Sequence, residues 1–407
     1  MTPAQLDAAD PLAPFRDRFA LPEGVIYLDG NSLGARPKAA EERVLQVVRK
    51  EWGEGLITSW NQADWIGMPQ RIGDKIGRLI GAGEGEVIAC DSTSINVFKA
   101  SCAALSLAPE RSVILSERGN FPTDVYMMQG IEALTGRQVR AQLVQPDQIE
   151  DAIDGSVAAV LLTQVHYKTG RMRDMARITS LAHRHGAAMI WDLSHSAGAV
   201  PVDLTGAGAD FAVGCGYKYL NGGPGAPGFL YVAQRHQGKV TPALAGWFGH
   251  AAPFAFEDRY EPAPGIARFL VGTPPVLGMA ALEVGVDLFL EADMAAVRAK
   301  SISLAELFIE RMAPLAEAWG FALASPADPA ERGSQVSYRH PEGYAIIQAL
   351  IERGVIGDFR APDILRFGFT PLYITHAEVA AAVDYLAAVM EQREWDRPEH
   401  KQRSAVT

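Results

Sequence analysis

From residue 86 to residue 232, short apolar runs alternate with stretches whose apolar positions recur at helical spacing. The runs "EVIAC" (86 to 90), "SVILS" (112 to 116), "VAAVLLTQV" (157 to 165), "AAMIWD" (187 to 192), "DFAVG" (210 to 214) and "GFLYV" (228 to 232) predict strands. Strands separated by helices predict an α/β fold with a mostly parallel sheet covered on both faces. Upstream, Ile72, Ile76 and Leu79 share a helical stripe, and residues 37 to 51 read as a helix with Pro37 at its first position. After "TPPVLGMAALEVGVDLFLEA" one long helix is expected to about residue 312, with Val286, Leu290 and Val297 on its apolar face. Beyond it, "FALAS", "QVSYR" and "ILRFGF" predict strands, and helices are expected near 342–353 and 376–393. The expected division is an N-terminal arm and helix (1–60), a large α/β domain (61–300) and a smaller α+β domain (301–407). The tail "EQREWDRPEHKQRSAVT" is polar and reads as frayed.

A chain of 407 residues suits one large core and a second, smaller one. The formal net charge of -11 argues against a nucleic-acid partner, which calls for a basic face. Cys90, Cys102 and Cys215 form no paired spacing, so neither a disulfide framework nor a zinc site is expected, and a reducing, cytoplasmic setting is. The N-terminus lacks a signal-peptide pattern, and no apolar run is long enough to span a membrane.

Within "GCGYKYLNGGPGAPGF" (214 to 229), Lys218 stands between two tyrosines with no acid beside it. Such a lysine loses hydration and becomes a better amine nucleophile, which suits a Schiff base. In "MIWDLSHSAG" (189 to 198), Asp192 closes an apolar run at the carboxyl end of a strand, where open α/β sheets place ligands. Taken alone, Asp192 fits a cap for the following turn equally well. Together, an acid for a ring nitrogen and a lysine for a carbonyl carbon are what pyridoxal phosphate requires. "CDSTSINVF" puts Ser92, Thr93 and Ser94 at a helix start, a seat for an anion as well as an ordinary N-cap. "NFPTDV" supplies Phe121 as a flat surface and Asp124 as a second acid.

The motifs "YLDGNSLG", "FPTD", "WDLSHSAG", "GYKYLNGGPG" and "LRFGFTPLY", in this order over nearly the whole chain, resemble those of the kynureninase family. The resemblance implies a fold type I pyridoxal-phosphate enzyme with a seven-stranded sheet. It implies a homodimer with shared active sites that hydrolyses L-kynurenine to anthranilate and L-alanine in tryptophan catabolism. By the same resemblance, Lys218 would carry the cofactor, Tyr217 would reach its phosphate, and Thr93 and Ser94 would hold that phosphate. Phe121 would stack on the ring, Asp192 and Asp124 would face its nitrogen, and His195 would lie beside it. Trp247 and Thr273 would complete the phosphate pocket from the neighbouring subunit, and Arg366 would grip the substrate carboxylate, with Arg360 as the alternative. Animal members that favour the 3-hydroxylated substrate carry asparagine where Thr273 stands, so kynurenine itself is the expected substrate.

Other signals are weaker. "GPGAPG" (223 to 228) matches a dinucleotide pattern but precedes a strand and contains two prolines, so it reads as a rigid loop that fixes Lys218. His183 and His185 sit at a helix end without a third metal ligand. Trp60 and Trp65 read as core rather than substrate pocket. A cysteine desulfurase or an aminotransferase is the alternative reading, but desulfurases carry histidine where Tyr217 stands.

Overall fold

The computed structural model describes residues 1–403, so the end of the polar tail, 404–407, lies outside the described residues. The large sheet has seven strands: Val87–Ala89 (β1), Val113–Glu117 (β2), Arg140–Val144 (β3), Val157–Thr163 (β4), Ala188–Asp192 (β5), Phe211–Cys215 (β6) and Gly228–Val232 (β7). Their order is β1-β7-β6-β5-β4-β2-β3, and only β7 runs antiparallel to its two neighbours. Alternation across the pleat sorts the core into two layers. Val113, Leu115, Met189 and Trp191 face one layer with Ile72, Ile76 and Ile178. Ile114 and Ile190 face the other with Val97, Ala100 and Met128. Each fully buried aliphatic side chain of this kind contributes about 1.5–3 kcal/mol.

Arg140–Val144 has no apolar run to announce it, because it is an edge strand covered only in part. Two helical expectations change. Pro37 is the extended residue before the helix Lys38–Gln46, which continues as a wider π-helical turn over Val47–Trp52. The long helix after residue 275 is two helices, Val276–Glu291 and Met294–Trp319. Ala292 and Asp293 are extended between them, and Asp293 caps the second by accepting from the Ala295 amide at 2.9 Å. That second helix stops only at Gly320, whose φ of +77° suits glycine.

The smaller antiparallel sheet joins Ala322–Leu323 (β8), Gln335–Arg339 (β9), Asp358–Arg360 (β10) and Ile364–Gly368 (β11) in the order β10-β11-β9-β8. The N-terminal segment reaches this unit: Ile26–Tyr27 pairs in parallel with Val355–Ile356. Asp29 bridges to Gly368. The "YLDGNSLG" stretch thereby links β11 to the loop bearing Lys218, since the Gly34 amide donates to the Tyr217 carbonyl at 2.8 Å.

Candidate active site

The carboxyl ends of β4, β5 and β6 lie in register, with Thr163 opposite Asp192 and Asp192 opposite Val213. Three residues past β6 the chain places Lys218, and a cavity of about 120 Å³ opens among these ends and the helix starts at Thr93 and Pro122. Lys218, Asp192, His195, Tyr217, Phe121, Thr93 and Ser94 all line it. So do Thr163, Thr123, Ser194 and Tyr167, which sequence reasoning passed over. Thr163 had a signal, since it ends an apolar strand as Asp192 does.

Lys218 is 7% exposed, and its Nζ lies 3.0 Å from His195 Nε2 and 5.4 Å from the Phe121 ring centroid. Burial, then the Lys218 and Arg366 charges, hold the His195 imidazole well below its usual range, so it is neutral. Its Nε2 therefore accepts from the amine and orients it. The lysine loop is held by backbone bonds: the Asn221 amide to the Lys218 carbonyl and the Gly222 amide to the Gly216 carbonyl, each at 2.9 Å. A Cβ on Gly34 would fall 2.3 Å from the Lys218 carbonyl oxygen, so only glycine allows that approach.

Asp192 both caps and faces the cavity. Its Oδ1 accepts from the Ser194 amide at 2.7 Å, so the turn-capping role and the site role coexist. Asp124 is fully buried, and neither of its oxygens has a hydrogen-bond partner among the described residues. Burial and then the Asp192 charge push its pKa well above the carboxylate range, with Asn120 and Lys218 opposing. Asp192 is raised as well, chiefly by burial. A buried acid facing the cavity, with a second buried acid beside it whose oxygens lack partners, fits a cationic ring N–H, which would supply donor and charge.

The opposite end suits a phosphate. Thr93 and Ser94 open the helix Thr93–Leu107, where free amides converge, and Ser92 caps it. Ser94 Oγ meets Thr123 Oγ1 at 2.6 Å, tying this helix start to the next one. The Phe121 ring packs edge-on against Tyr167 at 5.1 Å, leaving a flat surface beside the lysine.

The other expected residues lie apart from this cavity. Arg366 is fully buried and grips Asp358 through Nε and Nη2, while its Nη1 donates to the Tyr167 carbonyl at 2.7 Å. Arg360 also reaches Asp358, at 2.6 Å. Trp247 is 41% exposed, Thr273 is exposed, and neither lines the cavity of its own chain. Trp60 packs between Trp65 and Phe248 at 5.9 and 6.0 Å. His183 Nε2 donates to Asp210 Oδ2 at 2.7 Å, and no cluster among the described residues could hold a metal.

The architecture matches solved structures of known class. Similarity extends to the cysteine desulfurase CsdA from Escherichia coli, with TM-score 0.77 and 21% identity over 96% of this chain and 99% of that one. It also extends to a C-DES variant with glycine covalently linked to its PLP cofactor, with TM-score 0.76 and 18% identity over 91% and 98%. Residues 82–214 match the DegT/DnrJ/EryC1/StrS aminotransferase family, and residues 297–386 match the kynureninase C-terminal domain. With a lysine and an acid at the strand ends and an anion seat at a helix start, the protein has the fold type I architecture of pyridoxal-phosphate enzymes, and the residues present fit that cofactor. It is 53% identical to the kynureninase of Pseudomonas fluorescens over 99% of this chain and 98% of that protein. The chain belongs to the kynureninase family, hydrolases that act on carbon–carbon bonds.

Proposed function

We propose that the chain hydrolyses the Cβ–Cγ bond of L-kynurenine, releasing anthranilate and L-alanine, with Lys218 as the amine that carries the cofactor and moves the α proton. The observation that carries this reading is the meeting of Lys218 and Asp192 in one cavity, with the buried Asp124 within electrostatic reach of both, in a chain 53% identical to a kynureninase. Pyridoxal phosphate, when bound, supplies the electron sink for the carbon next to the substrate amine. Asp192, with Asp124 behind it, would keep a proton at the ring nitrogen, because burial makes an unpaired double negative charge costly. His195 aims the lysine amine. Thr93, Ser94 and Tyr217 would hold the cofactor's phosphate, and Phe121 would offer its face to the ring.

The Tyr217 phenol is pushed up by burial and then by the Cys215 and Asp192 charges, so it keeps its proton and can donate it at the substrate ketone oxygen. The Arg366 and Arg360 pair receives the substrate carboxylate. Trp247 and Thr273 complete the site of a second copy, which makes the working form a homodimer; their exposure on their own chain supports this. The domain division at residues 60 and 300, a cytoplasmic setting and a place in tryptophan catabolism belong to the same reading. No helix among the described residues is long and apolar enough to cross a membrane.

Purified protein loaded with cofactor is expected to turn L-kynurenine into fluorescent anthranilate faster than it acts on 3-hydroxykynurenine. Absence of anthranilate with an intact cofactor spectrum overturns the reading in favour of a desulfurase or aminotransferase.

A further inference from the structure

Two guanidiniums share one acid beside the site. Asp358 on β10 stands directly opposite Arg366 on β11, and Arg360 lies two residues along β10, on the same face. Arg366 Nε donates to Asp358 Oδ1 at 2.8 Å and Nη2 to Oδ2 at 2.5 Å. Arg360 Nη2 reaches the same Oδ2 at 2.6 Å. Ser32 Oγ donates to that oxygen at 2.7 Å and accepts from Arg366 and Arg360 at 2.6 and 3.1 Å. Guanidiniums this close repel in a partly desolvated setting unless an anion stands between them. Two positive charges against one carboxylate leave a net charge of +1, matched to one incoming carboxylate. Asp29 adds no full charge near neutrality, since burial and then the Asp358 charge push it up to about 8.

The two arginines are not equivalent. The Arg366 side chain is 2% exposed, and it is further tied to the Tyr167 carbonyl, on a residue whose side chain lines the lysine cavity. The Arg360 side chain is 32% exposed, and its one ion pair among the described residues is with Asp358. Both charges lower the His195 imidazole, which places them within electrostatic reach of the lysine.

We propose that Asp358 is a positioning residue for recognition of the substrate's α-carboxylate: it locks Arg366 as a fixed post and holds Arg360 as the arm that turns to the incoming anion. This rests on the reading that the arginine pair receives that carboxylate. Asp358 itself touches no substrate. It decides where the two forks point and keeps their combined charge at a value one carboxylate neutralises.

The test uses holoenzyme and reads binding without turnover, by titrating the cofactor absorbance with L-alanine and with L-alaninamide, which lacks the carboxylate. Wild type is expected to prefer the acid, and Asp358→Asn to reduce that preference by about tenfold or more, the scale of one charge-assisted pair. In an Arg360→Gln background, adding Asp358→Asn is expected to change the preference by clearly less than it does in the wild type, because only its hold on Arg366 remains to be lost. An unchanged preference in Asp358→Asn, or additive effects in the double variant, overturns the proposal. Asp358→Glu keeps the charge and shifts it by one methylene. If Asp358→Asn fails to hold cofactor, a wild-type preference in Asp358→Glu overturns the proposal too, and an intermediate one supports it. Anthranilate release by the wild type, measured separately, tests the kynurenine reading alone.

Discussion

The Lys218 amine and the His195 imidazole meet at 3.0 Å inside a cavity where the ring is kept neutral by burial and by the positive charges around it. A neutral ring can accept from the amine where a charged one would repel it. His195→Ala is therefore expected to keep cofactor and lose about tenfold in kcat, the worth of one hydrogen bond of ~1.4 kcal/mol. Steady-state kinetics beside the cofactor spectrum checks this, and wild-type kcat would remove the orienting role.

Lys218 supplies the covalent anchor and the proton carrier together. Lys218→Ala should lose the visible cofactor band and turnover of kynurenine, with folding intact by circular dichroism. A variant retaining both band and turnover sinks the assignment.

Asp192 and Asp124 are expected to separate under substitution. Asp192→Asn loses on the order of 10²–10³-fold in kcat while holding cofactor, because the charge it aims at the ring is gone. Asp124→Asn removes a buried acid with no partner. The apoprotein should gain thermal stability, and the further gain on adding cofactor should shrink. Calorimetry with and without pyridoxal phosphate measures both.

Asp29 gives the pH dependence. Its folded pKa of about 8 stands above the unfolded value of 3.8, so the folded state holds the extra proton between them. Stability from this group is full below about pH 4 and declines as pH rises toward 8, by at most about 1.4 kcal/mol per unit. Asp29→Asn should thus raise the melting temperature more at pH 8 than at pH 5. An equal shift at both pH values would contradict the raised pKa.

Gly34 carries a steric prediction. A Cβ there meets the Lys218 carbonyl at 2.3 Å and Asn221 Oδ1 at 2.4 Å. Gly34→Ala should cost about 1–3 kcal/mol by denaturant unfolding and lower kcat through the displaced lysine loop. Unchanged stability would mean the loop yields freely.

The parallel sheet, its helical cover and the residues at the strand ends were legible along the chain, because burial on both faces writes continuous apolar runs and ligand sites follow where those runs stop. Lys218, Asp192, Thr93, Ser94 and Phe121 sit next to such stops, so local pattern was enough to single them out. Arg140–Val144 and Asp358–Arg360 left no such trace: one is a half-covered edge, and the other is three residues paired partly through an ion pair with Arg366. The break at Ala292 also escaped notice, since apolar spacing continues across it and only backbone geometry ends the helix. Tertiary structure alone decided that Asp124 lacks partners, that Asp358 stands between two arginines, and that Gly34 presses on the lysine loop. The Gly34 approach joins segments far apart in the chain, while the Asp358 pairings and the Asp124 burial depend on how a hairpin closes and what packs over a helix start; apolar periodicity within one segment records none of these.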